Sequence, residues 1–107
     1  MATPEHRVKA AVNRLLDKYK SIYKFMPVPG GFGASSLDYL LCVNGKFCAI
    51  ETKAPGKKPT DRQRRIAAQI ERAGGVVFII DSADALHPLE AYLERTTHAG
   101  RTSQSQT

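Results

Sequence analysis

Asp38, Glu51 and Lys53 fall within one stretch, Leu37 to Lys53 (LDYLLCVNGKFCAIETK), and Gln63 follows soon after. The stretch reads as two short apolar runs joined by Asn44-Gly45. Asn-Gly between apolar runs signals a two-residue hairpin loop, because a type I′ turn needs φ > 0 at both central residues. That loop sets the register: Val43 faces Lys46, Cys42 faces Phe47, Leu40 faces Ala49 and Asp38 faces Glu51. Two carboxylates then stand opposite each other, about 5 Å apart at Cβ, and like charges in that position repel. A hard divalent cation, Mg²⁺ or Mn²⁺, relieves the repulsion, because it takes carboxylate oxygens together with waters and substrate phosphate. The backbone carbonyl of Thr52 offers a further oxygen. Lys53 lies two residues beyond Glu51 and so points to the same side, where it would hydrogen-bond an attacking water or a scissile phosphate. Gln63 could orient that water or the lysine. The chemistry that suits this set is metal-assisted hydrolysis of a phosphodiester. The simpler alternative is two surface acids and a lysine in ion pairs, beside an ordinary glutamine at a helix boundary.

The elements that must position these residues can be read around them. Thr3-Pro4-Glu5 starts a helix, with Thr as N-cap, Pro at the first helical position and an acid in the first turn. Val8, Ala11, Val12, Leu15, Leu16, Tyr19 and Ile22 follow at helical spacing, which predicts an amphipathic helix of about twenty residues ending near Tyr23, with Lys9, Arg14, Asp17, Lys18 and Lys20 on its polar side. Glu5 is either a favourable charge at the helix dipole or an additional acidic metal ligand. Phe25 to Ser36 (FMPVPGGFGASS) is excluded from regular structure by its prolines and glycines; it is a flap or substrate-contacting loop, or a plain connector. Ser35 and Ser36 just before the hairpin could donate to phosphate.

Both faces of the predicted hairpin are largely apolar, as in strands covered on two sides. After the loop Ala54 to Pro59, Thr60 caps a helix from about Asp61 to Ala73, closed by Gly74-Gly75. Its inner face carries Gln63, Ile66, Ala67 and Ile70. Val76 to Ile80 (VVFII) is a buried strand, which makes a βαβ unit with a parallel third strand. Pro88 opens a short last helix through Leu89, Tyr92 and Leu93. The domain is expected over residues 1–96, with a polar, disordered tail over 97–107. The fold class is α/β: an N-terminal helix, a β-hairpin, a βαβ crossover and a short C-terminal helix.

Composition fits either a polyanion-binding protein or a merely basic, soluble one. The 107 residues carry a net charge of +6, and the pI of about 9.6 suits a polyanion, either nucleic acid or an anionic membrane surface. Six basic residues and one acid lie between Lys53 and Arg65. Lys57, Lys58, Arg62, Arg64 and Arg65 there form either a solvated basic face or a surface that tracks phosphates beside the carboxylates. Cys42 and Cys48 sit inside the apolar runs, do not face each other, and read as buried free thiols of a reducing compartment. No signal peptide or membrane anchor is visible, so the expected location is the cytoplasm, or wherever intracellular DNA lies.

The order L-D-Y-L-L-C-V-N-G-K-F-C-A-I-E-T-K-A-P-G-K-K-P-T-D-R-Q, then an apolar helix, then G-G-V-V-F-I-I-D-S, resembles the VRR-NUC family of the PD-(D/E)XK nuclease superfamily. The resemblance covers about residues 5 to 93. It carries the metal-binding Asp onto Asp38, the acid and lysine of (D/E)XK onto Glu51 and Lys53, the helix Gln onto Gln63 and the N-terminal acid onto Glu5. Leu37 stands where the superfamily motif has Pro. The resemblance implies a restriction-endonuclease-like core and a Mg²⁺- or Mn²⁺-dependent DNA endonuclease. Small stand-alone members resemble Holliday-junction resolvases, which implies a homodimer acting on four-way DNA, with the apolar face of the first or last helix as candidate dimer surface. The alternatives are a flap, nick or general DNA endonuclease of the same fold, and a non-catalytic nucleic-acid-binding module.

Overall fold

The computed structural model describes residues 3–28 and 36–105, with side chains described as far as Thr97. The elements run α1 (Pro4–Leu16), β1 (Tyr23–Phe25), β2 (Tyr39–Val43), β3 (Lys46–Thr52), α2 (Asp61–Arg72), β4 (Val76–Ile80) and α3 (Leu86–Ser105). The strands form one sheet in the order β1-β2-β3-β4. β1 and β3 each pair antiparallel with β2, and β4 runs parallel to β3.

The hairpin has the expected register. Val43 pairs with Lys46, Cys42 with Phe47 and Leu40 with Ala49, around a turn in which Asn44 and Gly45 take φ of 51° and 80°. The turn is fastened to α3 by Asn44 Nδ2, which donates to the Thr96 carbonyl. One sheet face is the floor of the core. Tyr39, Leu41, Val43, Cys48 and Ile50 are buried there against Val8, Val12, Leu15 and Leu16 of α1 and Leu89, Tyr92 and Leu93 of α3. Among the described residues, these apolar side chains of α1 and α3, where the dimer surface was expected, pack inside the protomer.

The other face is only part covered. α2 lies over it, where Ile70 and Phe47 close around Gly75. A Cβ on Gly75 would meet Ile70 Cγ2 at 2.7 Å and Phe47 Cδ2 at 3.1 Å, so the close helix–strand approach requires glycine. Beyond α2 the face is open. Tyr23 and Phe25 on β1 pair with Cys42 and Leu40, and Tyr23, Phe25 and Phe47 remain exposed. Coverage on both sides, expected for the hairpin, therefore holds only beneath α2, and Cys42 is exposed whereas Cys48 is buried.

Three other expectations change. α1 ends at Leu16, not near Tyr23. Asp17 still has helical φ and ψ as C-cap, but Lys18 and Tyr19 donate to Leu15 and Leu16 in a tighter turn. Tyr19 and Ile22 nevertheless pack on the core, so their spacing mimics a helix the chain has left. The released residues lead into β1, a strand that the prolines after Phe25 obscured. Finally, α3 is long rather than short, Leu86–Ser105. Leu89, Tyr92, Leu93 and Thr96 are buried at helical spacing, and Thr97 Oγ1 donates to the Leu93 carbonyl.

Candidate active site

The carboxylates meet where β2 begins and β3 ends, and each is held by the backbone of the other's strand. The Asp38 N–H donates to Glu51 Oε1 at 3.1 Å. Asp38 Oδ2 accepts from the Thr52 N–H at 2.9 Å and from the Thr52 hydroxyl at 2.6 Å. These bonds continue the hairpin one step past its last ladder pair, Tyr39 with Ile50, with side chains in place of backbone carbonyls. Glu51 is 3% exposed and Thr52 is fully buried.

Lys53 and Gln63 both converge on Glu51. Lys53 Nζ lies 3.6 Å from Glu51 Oε2, and the Lys53 N–H donates to the Ile80 carbonyl at 2.9 Å, which prolongs the parallel ladder. Gln63 Nε2 donates to Glu51 Oε2 at 2.7 Å. The glutamine owes its aim to the start of α2. Thr60 Oγ1 accepts the Gln63 N–H while Gln63 Oε1 accepts the Thr60 N–H, a reciprocal capping box. Gln63 is thus both a helix cap and the link between α2 and the acid.

The electrostatics follow from this crowding. Burial pushes the Glu51 carboxyl up to about 7, and the neighbouring Asp38 charge adds to the rise. The hydrogen bond from the Asp38 N–H and the Lys53 charge oppose it, and Glu5 adds a further upward contribution. The Glu5 carboxylate lies 4.0 Å from Lys9 Nζ. Tyr39 is pushed up to about 12, by burial and by Asp38, and its hydroxyl donates to the Lys9 carbonyl.

The donor set suits a hard cation. Asp38 and Glu51 lie next to each other at the end of the hairpin, each bonded to the backbone of the other's strand, and their mutual repulsion is what a divalent ion removes. Among the described residues no group of three or more His, Cys, Asp or Glu side chains gathers closely enough to hold an ion. Asp38 and Glu51 alone would leave most coordination positions to water, phosphate or a carbonyl, which is how Mg²⁺ is commonly bound.

The remaining sequence candidates lie around this centre. Lys57, Lys58, Arg62 and Arg65 are exposed on the loop and the first turns of α2. Arg64 is turned back: its guanidinium donates to the Pro59 carbonyl and bonds Asp61, which ties the loop to the helix. Ser36 is exposed before β2, and Ser35 lies outside the described residues. Two contributors escaped the sequence reading. Thr52 was singled out for its carbonyl, whereas its hydroxyl and N–H anchor Asp38. Lys9 was assigned to the solvent side of α1, yet its Nζ lies 3.8 Å from Asp38 Oδ1. Its i,i+4 spacing from Glu5 was the available signal.

No family model matches the chain. A phage protein named "Putative nuclease p44", from Acyrthosiphon pisum secondary endosymbiont phage 1, is 43% identical over 63 residues. The matched part is 58% of this chain and 64% of the phage protein, so the chain spans less than two thirds of that relative's length. No helix among the described residues is long and apolar enough to cross a membrane.

Proposed function

We propose that this chain is a Mg²⁺- or Mn²⁺-dependent DNA endonuclease of the PD-(D/E)XK type, selective for branched DNA and active on four-way junctions as a homodimer in the cytoplasm. The observation that carries the hydrolytic reading is the convergence on Glu51. An acid buried at the end of β3 receives Asp38, Lys53 and Gln63 from three separate parts of the chain. A surface ion-pair cluster needs no buried acid, and burying a carboxylate beside another carboxylate costs stability unless a cation joins them. The similarity to the phage protein supports the nuclease class. The preference for four-way junctions and the homodimer rest on the resemblance to small VRR-NUC proteins.

When bound, a divalent cation on Asp38, Glu51 and the Thr52 carbonyl supplies charge to the scissile phosphoryl oxygens and acidifies a water. Asp38 is presented for this by Thr52, whose two donors fix one carboxylate oxygen. Gln63 donates to Glu51 Oε2 and so holds it beside the Lys53 ammonium. Lys53 donates to the attacking water or to a non-bridging phosphate oxygen, and so aligns the new P–O bond with the one that breaks. The sugar oxygen leaves with a proton from solvent. Lys57, Lys58, Arg62 and Arg65 line the approach on the α2 side and hold the flanking phosphates.

The test is cleavage of a labelled synthetic four-way junction and of linear duplex of the same sequence, in Mg²⁺, Mn²⁺ or EDTA. Paired symmetric nicks in the junction alone, abolished by EDTA, are expected. Equal cutting of both substrates would replace junction selectivity with a flap, nick or general nuclease. Tight binding without any cutting in either metal would overturn the enzyme reading in favour of a binding module.

A further inference from the structure

Lys9 lies outside the acid, lysine and glutamine set that the hairpin and α2 supply. It comes from α1, and its ammonium is 3.8 Å from Asp38 Oδ1 and 4.0 Å from Glu5 Oε2. Its position is fixed by the fold: the hydroxyl of the buried Tyr39, the residue after Asp38, donates to the Lys9 carbonyl at 3.3 Å. Asp38 is divided between two partners. Oδ2 is taken by the two donors of Thr52, and Oδ1 faces Lys9. Each acid therefore has its own lysine, Lys53 on Glu51 and Lys9 on Asp38. The Lys9 side chain is 30% exposed against 15% for Lys53, so Lys9 is the more accessible of the two to a ligand from solvent.

We propose that Lys9 is a substrate-binding residue that doubles as a placeholder. It neutralises Asp38 while the site holds no metal, and it moves to a phosphate oxygen of the bound strand once a divalent cation engages Asp38. The proposal rests on the metal-dependent nuclease reading. Its physical basis is that two cations cannot share Asp38 Oδ1 without repulsion, whereas incoming phosphate brings negative charge to the same site. The long flexible stem of lysine permits the change of partner. Metal entry and strand binding are then coupled through one side chain: the strand takes up the ammonium that competes with the metal.

The test uses Lys9→Met and Lys9→Arg, with Lys9→Gln if the Met variant does not fold, as judged by melting in EDTA. Mn²⁺ is titrated calorimetrically into the DNA-free protein. The neutral variant is expected to bind Mn²⁺ about two- to fivefold more tightly, the worth of a partly exposed ion pair, and Lys9→Arg as the wild type does. Junction DNA is then bound with Ca²⁺ in place of the catalytic metal. There the neutral variant is expected to bind more weakly, with the salt slope reduced by about one phosphate contact, and Lys9→Arg to restore it. A merely structural Lys9 would not tighten metal binding while loosening DNA. Equal Mn²⁺ affinity in wild type and neutral variant, or unchanged DNA binding, would overturn the role of Lys9 and leave the metal site standing. Absence of Mn²⁺ binding to the wild type would overturn both.

Discussion

At the scale of single residues, Glu51 concentrates the tension in the fold. It is almost fully buried, it faces Asp38, and its carboxyl is raised from an ordinary 4.5 to about 7. A carboxylate raised in the folded state contributes stability below its unfolded value, and that contribution is lost as pH rises through the folded value. In EDTA the chain should therefore lose stability between about pH 4.5 and 7 through this group. Glu51→Gln should remove that slope and stabilise the metal-free protein at pH 8, by up to about 3 kcal/mol. Melting curves at pH 5 and pH 8 check this; an equal pH dependence in both proteins would mean that Glu51 ionises without strain. Lys53 has a different part. Its charge helps hold Glu51, but its proposed work is on water or phosphate, so Lys53→Ala should abolish cutting and keep junction binding, as read by a cleavage assay beside a gel shift. Retained turnover would remove Lys53 from the mechanism.

At the scale of elements, the site depends on how two termini are made. β3 delivers Glu51, Thr52 and Lys53 in sequence, and α2 delivers Gln63 through its capping box. Thr60→Ala should cost about 1 kcal/mol of helix capping, lowering Tm by about 4–8 °C in a domain of this size. It should also slow cutting, because Gln63 loses its fixed start; calorimetry and single-turnover rates read the two effects separately. The hairpin register and the capped helix were legible because each carries a local signal: Asn44-Gly45 demands positive φ, and Thr60 with Gln63 forms a capping pattern. What was not legible depends on contacts distant in sequence. Nothing local stops α1 at Leu16. It stops because the chain turns to pair Tyr23–Phe25 with β2, and Tyr19 and Ile22 reach the core without helix. Thr96 looks like the start of a polar tail, yet it is buried on α3 and its carbonyl receives Asn44. The acid pair, lysine and glutamine were legible from strand alternation and helix phase. The anchoring of Asp38 by the Thr52 side chain and the approach of Lys9 were not, since both depend on how α1 and the end of β3 meet.

For the whole molecule, charge and coverage divide the surface into two regions. Basic side chains at Lys57, Lys58, Arg62 and Arg65 gather around the open end of β3, beside the acids they would screen from a polyanion. Neutralising Lys57, Lys58 and Arg65 together should weaken DNA binding for every sequence and lower the salt slope by about 0.9 for each lost phosphate contact. Titrations at several salt concentrations decide this, and an unaltered slope would make these residues bystanders. Arg64 belongs to the fold instead, through Pro59 and Asp61, so its loss should register in stability before binding. The second region is the open half of the sheet, where Tyr23, Phe25 and Phe47 stay exposed while α1 and α3 bury their apolar faces inside.

The central claim is that Asp38 and Glu51 are opposed in order to share a divalent cation that makes the chain a nuclease. Single-turnover cleavage of a four-way junction by the wild type and by Asp38→Asn, across a Mn²⁺ titration, tests it most directly. Saturable metal-dependent cutting by the wild type, reduced by orders of magnitude in Asp38→Asn at every Mn²⁺ concentration, is the expected result. Cutting that is unaffected by the substitution, or that persists in EDTA, would contradict it.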